Sequence, residues 1–482
     1  MKLLITFVIV LTFSSLIIYG NVIPNDYNII TNASNICANK TLILRFSSLT
    51  TIDKYFIASP TVTCIDIKGI VTIKEGTFDN VPNLKYLDLR ENNIYPADFF
   101  SFGNLSNLEI LRFGYQKGTS NWIENRKIVI RNVYPELRYL DLEYANISAL
   151  YSEVYNPFPK LTHLYISGNM IQSTSLNNIL PDTLTYLNLS NNRISEFLFE
   201  GLNNLLSLIL DNNKISRMGS DITLYGLNAL QNLSLANNQI SVFNNNTFQC
   251  VPNLRYLNLR NTSSTFNFNI LKPLKFLETL ILDNNLLENI PISIPLNITT
   301  LSLNCNKLRN LTYDTFINVP NLRKLHISRN MISNINVDTF ETQKLLEELY
   351  LDDNYLSFLP RNWCEFMKKL RYLNLSGNKF TSLEMVIYSS TLPIEQLYLE
   401  RNPIQSINMS SILQIIPKNM TIYLKIDSET NRSSCMPSIP TETTNLPLTS
   451  TFTEENYPTS TKYSTPLWQS RFFSVTKDTK LH

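Results

Sequence analysis

The chain has 482 residues, 44% of them hydrophobic, with 41 Lys and Arg against 39 Asp and Glu and a formal net charge of +2. That length supplies ample apolar material for a large core, and so balanced a charge offers no field for nucleic acid or an acidic lipid surface. With 3 histidines in all and no HExxH, GxSxG, Walker or paired-cysteine metal pattern, no cofactor, metal or catalytic residue is expected.

Residues 1–20, MKLLITFVIVLTFSSLIIYG, set one Lys before an apolar run from Leu3 to Ile18 and close on Gly20, the layout of a cleaved signal peptide. The remainder is expected to be secreted, with no integral membrane segment after cleavage, because no other stretch is apolar enough to span a bilayer. Sequons at Asn32, Asn39, Asn104, Asn146, Asn188, Asn232, Asn245, Asn261, Asn297, Asn310, Asn374, Asn408, Asn419 and Asn431 fit a glycosylated extracellular chain. Residues 21–61 are expected to cap the N-terminal end. Cys37 within that cap and Cys64 just beyond it flank the apolar TLILRFSSL and are expected to bridge, sealing the open end of the core.

From Val62 to Ile416 one pattern dominates, LxxLxLxxNxL, clear in LKYLDLRENNI at Leu84, LTHLYISGNMI at Leu161, LTYLNLSNNRI at Leu184 and LRYLNLSGNKF at Leu370. Alternation turns the leucines of each short strand inward and the residues between them outward, and each repeat adds one parallel strand. Asn378 and its counterparts follow in the turn, where an amide side chain satisfies backbone groups that the curving chain leaves unpaired. Gln116, Ala145 and Thr262 depart from that Asn and predict looser turns. A second apolar register, Phe78, Phe102, Phe199, Phe248, Phe316 and Phe340, predicts a spine on the side opposite the strands. No repeat can bury its apolar face alone, so stability comes from stacked neighbours.

The pattern resembles the extracellular leucine-rich repeat family in its form with a period near 24 residues, as in Toll-type receptor ectodomains and soluble invertebrate immune proteins. The resemblance implies an α/β solenoid, a curved horseshoe of about 15 repeats with a parallel concave β-sheet over residues 62–416. Residues 417–435 are expected to form an irregular C-terminal cap. Residues 436–482, rich in Ser, Thr and Pro, read as a disordered tail.

The outward strand positions hold the candidate contact residues, Tyr139, Asp141, His163, Tyr165 and Tyr186 in one cluster and Tyr350, Tyr372 and Tyr398 in another. Tyrosine supplies contact area and a polar tip at low entropic cost, although a tyrosine ladder also stabilises a sheet for its own sake. Trp122, among Lys117, Arg126 and Lys127 in an insertion at 115–127, is a further candidate. Asn188, Asn232 and Asn374 place sequons on the same face, where glycans would move binding elsewhere. Cys364 reads as a core thiol. Cys250 and Cys305 stand too many repeats apart to pair, which leaves a disulfide-linked or non-covalent oligomer open. The expected function is a secreted glycosylated protein that binds a protein or glycoconjugate partner, with innate immune recognition implied by the resemblance. A matrix or cell-adhesion protein and a secreted enzyme inhibitor are the alternatives, and an enzyme is not expected.

Overall fold

The computed structural model describes residues 37, 41–117, 126–172, 176, 179–199, 201–262, 267–290, 292–386, 394–405, 407, 420–424 and 473–475. Trp122, Cys435, residues 1–20 and the sequons at Asn32, Asn39, Asn408, Asn419 and Asn431 lie outside them. The chain divides into two compact units, residues 1–303 with 314–322, and residues 304–313 with 323–482.

The N-terminal unit opens with the strand Thr41–Ile52, parallel to Cys64–Ile73, and a Cys37–Cys64 disulfide joins the start of one to the start of the other. Three-residue strands then follow in parallel, each in register with the last: Tyr86–Asp88, Ile110–Arg112, Tyr139–Asp141, His163–Tyr165, Tyr186–Asn188 and onward to Thr300–Ser302. The central leucine of each, from Leu87 to Leu301, is fully buried. The C-terminal unit repeats the arrangement with Lys324–His326, Glu348–Tyr350, Tyr372–Asn374, Gln396–Tyr398 and Thr421–Leu424. Thr421–Leu424 falls where an irregular cap is expected, yet it continues the parallel sheet in regular register. Within the segment read as a disordered tail, Phe473–Val475 pairs antiparallel to that last strand.

Each unit is therefore a parallel-strand solenoid with little helix, the leucine-rich repeat arrangement expected from the sequence. Among the described residues, α-helix is confined to Tyr313–Phe316, with short 3-10 turns such as Pro96–Asp98 and two-residue strands elsewhere on the returning side.

A ladder of buried asparagines ties the turns together. Asn378 donates through Nδ2 to the carbonyls of Leu351 (2.9 Å) and Leu375 (3.0 Å) and accepts at Oδ1 from the Leu356 amide (3.0 Å). Asn354 makes the same three bonds one repeat earlier. The looser turns expected at two of the three departures do not materialise. Gln116 reproduces the whole set with the carbonyls of Leu89 and Phe113 and the Ile94 amide, and the Thr262 hydroxyl donates to Leu259 while its amide donates to Asn285. Ala145 has no side-chain bond to give, and its amide donates instead to Asn169 of the next repeat.

The second apolar register is buried throughout. In the N-terminal unit it runs as a ring chain, Phe78 to Phe102 (5.8 Å), Phe102 to Tyr134 (6.3 Å) and Tyr134 to Phe158 (6.0 Å). In the C-terminal unit Phe340 meets Trp363 at 5.9 Å. Cys364, beside that Trp, is a buried free thiol whose pKa burial pushes up to about 12. Cys250 is free and half-buried, whereas Cys305, read as a leftover thiol, is disulfide-bonded.

Candidate functional site

Every outward strand position sits about 4.8 Å from its counterpart on the next strand, close enough for flat rings to stack. In the C-terminal unit this spacing assembles one continuous column. His326 stacks on Tyr350 (ring centroids 4.3 Å apart, planes 13° from parallel), Tyr350 meets Tyr372 tilted (4.8 Å, 37°), Tyr372 meets Tyr398 tilted (5.0 Å, 36°) and Tyr398 stacks on Tyr423 (4.3 Å, 6°). The registers His326↔Tyr350 and Tyr398↔Tyr423 are direct cross-strand pairs. Between them stands Asn374, paired with both Tyr350 and Tyr398, and Tyr372 bridges the gap diagonally from its neighbouring position. The tyrosines of this column are half-buried.

Carboxylates border the column. The Tyr350 hydroxyl donates to Glu348 Oε2 (3.0 Å), and Lys324 pairs with Glu348 (2.8 Å). Asp352 accepts from the Ser328 hydroxyl (2.5 Å) and from Asn374 Nδ2 (3.2 Å). Burial raises the pKa of Asp352. Burial, followed by the nearby Glu348, raises that of the Tyr350 hydroxyl, so both stay proton-bound to higher pH than in water.

The N-terminal cluster is brought together in the same way, with a different exposure. Tyr139 meets Tyr165 tilted (4.9 Å, 34°), Tyr165 meets Tyr186 tilted (4.9 Å, 32°) and His163 stacks on Tyr186 (5.8 Å). Asp141 pairs with Arg112 (3.2 Å), whose guanidinium lies over the Tyr139 ring. Tyr139, Asp141, His163 and Tyr165 are buried, not exposed as outward positions suggest, and with Ile110 the two tyrosines make a small apolar cluster on the sheet. His326 of the other unit is likewise buried beneath its stack.

The sequons on these faces are half-buried at Asn188, Asn232 and Asn374, whereas Asn104, Asn245, Asn297 and Asn310 are exposed. Asn188 and Asn374 each turn Oδ1 back onto an amide two residues on, that of Ser190 and that of Ser376. Sequence reasoning missed Tyr423 as a site residue; the signal was the alternation in TIYL, with Ile422 and Leu424 inward.

Models described as leucine rich repeat match residues 183–205, 220–263, 320–380 and 344–404. Chicken lumican is 30% identical over 267 residues, 51% of this chain and 71% of lumican. Rat osteomodulin is 26% identical over 216 residues, 43% of this chain and 45% of osteomodulin, so the chain spans about half the length of that relative. Among solved structures, a leucine-rich repeat protein of Leptospira interrogans superposes with a TM-score of 0.60 at 23% identity, covering 80% of this chain and 95% of that one, a likeness of fold alone. In the described residues no helix is long and apolar enough to cross a membrane, and no group of three or more His, Cys, Asp or Glu stands ready to hold a metal ion. From the repeat pattern, the parallel-strand solenoid and the match to lumican, the chain belongs to the leucine-rich repeat family.

Proposed function

We propose that this is a secreted, glycosylated protein of the extracellular matrix that holds a protein partner against the tyrosine column of its C-terminal unit. The observation that carries the reading is the column itself, five rings on consecutive strands, four of them half-buried tyrosines with the buried His326 at one end. A sugar ring stacks flat on an open aromatic face, and here Tyr350, Tyr372 and Tyr398 each already meet two neighbouring rings. Ring edges, phenol hydroxyls and the flanking Glu348 and Asp352 suit the amides and side chains of a polypeptide, and favour a protein over a glycoconjugate. Lumican and osteomodulin are matrix proteins without enzymatic activity, which favours matrix over innate immunity or enzyme inhibition. Binding at this face requires Asn374 to be free of glycan, since it lies between Tyr350 and Tyr398.

The test is partition between medium and insoluble matrix in secreting cells. Wild-type protein is expected in the matrix, and Tyr372→Ala and Tyr398→Ala, confirmed folded by circular dichroism, in the medium. Variants that deposit as wild type does, or glycopeptides showing full occupancy of Asn374, would remove this reading.

A further inference from the structure

The parallel sheet of the C-terminal unit ends on Thr421–Leu424. The Thr421 amide donates to the Glu395 carbonyl (2.8 Å) and the Leu399 amide donates to the Tyr423 carbonyl (2.9 Å), so these two residues turn their backbone toward the preceding strand. By alternation the amides and carbonyls of Ile422 and Leu424 face the outer edge, past which the repeat pattern has ended. Such an edge is a template for pairing, and TIYL carries no charge and no proline to discourage it.

Phe473–Val475 fills that edge, antiparallel where the preceding strands run parallel. Its register sets Val475 opposite Ile422, Ser474 opposite Tyr423 and Phe473 opposite Leu424. The strap therefore bonds through Ile422 and Leu424, and Tyr423 with Ser474 forms the closer, non-hydrogen-bonded pair. Its 3 residues are reached across residues 425–472. Closing so long a loop costs entropy that few bonds offset, which makes the strap easy to open.

The edge also fits a copy of itself. In an antiparallel pairing of two such strands, Leu424 of the second copy takes the place of Val475, its Tyr423 that of Ser474 and its Ile422 that of Phe473, the same alternation of apolar and polar residues. The two Tyr423 rings then meet at the twofold axis, and each already ends a ring column by stacking on Tyr398 (4.3 Å, 6°). Both edges are used up in this way, which gives a closed dimer and not a filament.

We propose that Phe473–Val475 is a displaceable guard of the terminal edge, and that its release lets two copies of the chain join antiparallel through Thr421–Leu424 with Tyr423 against Tyr423. The inference rests on the end of the sheet and is independent of what the tyrosine column binds.

The test uses the full secreted chain. Phe473→Pro with Val475→Pro removes the two amides that the strap turns toward Leu424 and Ile422. Light scattering after size exclusion should give wild type as a monomer and this variant at twice the mass, with an unchanged melting temperature. Adding Leu424→Pro, which takes away an outward amide and spares the bonds to the preceding strand, should restore the monomer. Adding Tyr423→Cys instead should give a disulfide-linked dimer on a non-reducing gel, because a non-hydrogen-bonded pair brings its alpha carbons within disulfide reach. A strap variant that stays monomeric, a dimer that survives Leu424→Pro, or one that Tyr423→Cys does not link would overturn the proposal. So would a wild type that is already this dimer, or a strap variant that melts several degrees lower, since the strap would then be part of the core.

Discussion

Asn378→Ala removes four hydrogen bonds at once, the longest a 3.4 Å bond to the Ser376 carbonyl, but the ladder makes their loss unequal. The Leu351 carbonyl also accepts from Asn354 (2.9 Å) and the Leu375 carbonyl also accepts from Asn402 (2.9 Å), so both keep a donor when Asn378 is truncated. The Leu356 amide has Asn378 Oδ1 as its partner at 3.0 Å and is left bare in a buried turn. An orphaned buried amide costs about 1–3 kcal/mol, and each weakened carbonyl adds about 0.5–1 kcal/mol, for a total of roughly 2–5 kcal/mol. Urea unfolding followed by far-ultraviolet circular dichroism reads the total, and hydrogen exchange locates it: the Leu356 amide should exchange much faster, with the Leu351 to Asn354 turn little changed. A loss below about 0.5 kcal/mol, within the range of an ordinary surface substitution, or an unchanged Leu356 amide, would refute the ladder argument.

Three other outcomes follow from the same geometry. Asp352→Asn keeps an acceptor for Ser328 and Asn374 while removing a buried charge; because burial raises the folded-state pKa above 3.8, the charge penalty is absent at low pH and grows as pH rises through that window. The variant should therefore melt higher than wild type at pH 7 and equally at pH 3, and a lower melting point at pH 7 would contradict this. Gly377→Ala places a Cβ against Asp353 Oδ1 at φ 67° and disturbs the Asp353–Arg401 pair (2.6 Å) that spans two repeats, so denaturant titration should show a cost of about 1–3 kcal/mol. Because Cys305 is disulfide-bonded, it should resist alkylation until the protein is reduced; a non-reducing peptide map should find Cys305 in a bridge, and its alkylation without reduction would contradict this.

The repeat pattern made the strands legible because each of its leucine positions has one burial state, and Leu87 and Leu373 are buried as their place in LxxLxLxxN requires. Burial of the outward residues was not legible. Tyr139 and His163 point away from the leucine core, yet rings on strands about 4.8 Å apart leave each other no solvent, a property of neighbours and not of one repeat. Tyr423 escaped notice because its strand lacks the following ladder Asn that marks the other repeats. Gln116 looked like a defect and is not, since one more methylene still lets its amide reach the same three backbone groups.

The most direct test of the tyrosine column as a binding face is hydroxyl-radical footprinting of the protein free and deposited in matrix. Tyr350, Tyr372 and Tyr398 should be protected together on deposition, with Tyr225, a well-exposed tyrosine in the other unit, unchanged as the reference. Protection elsewhere with those three still reactive would contradict the account.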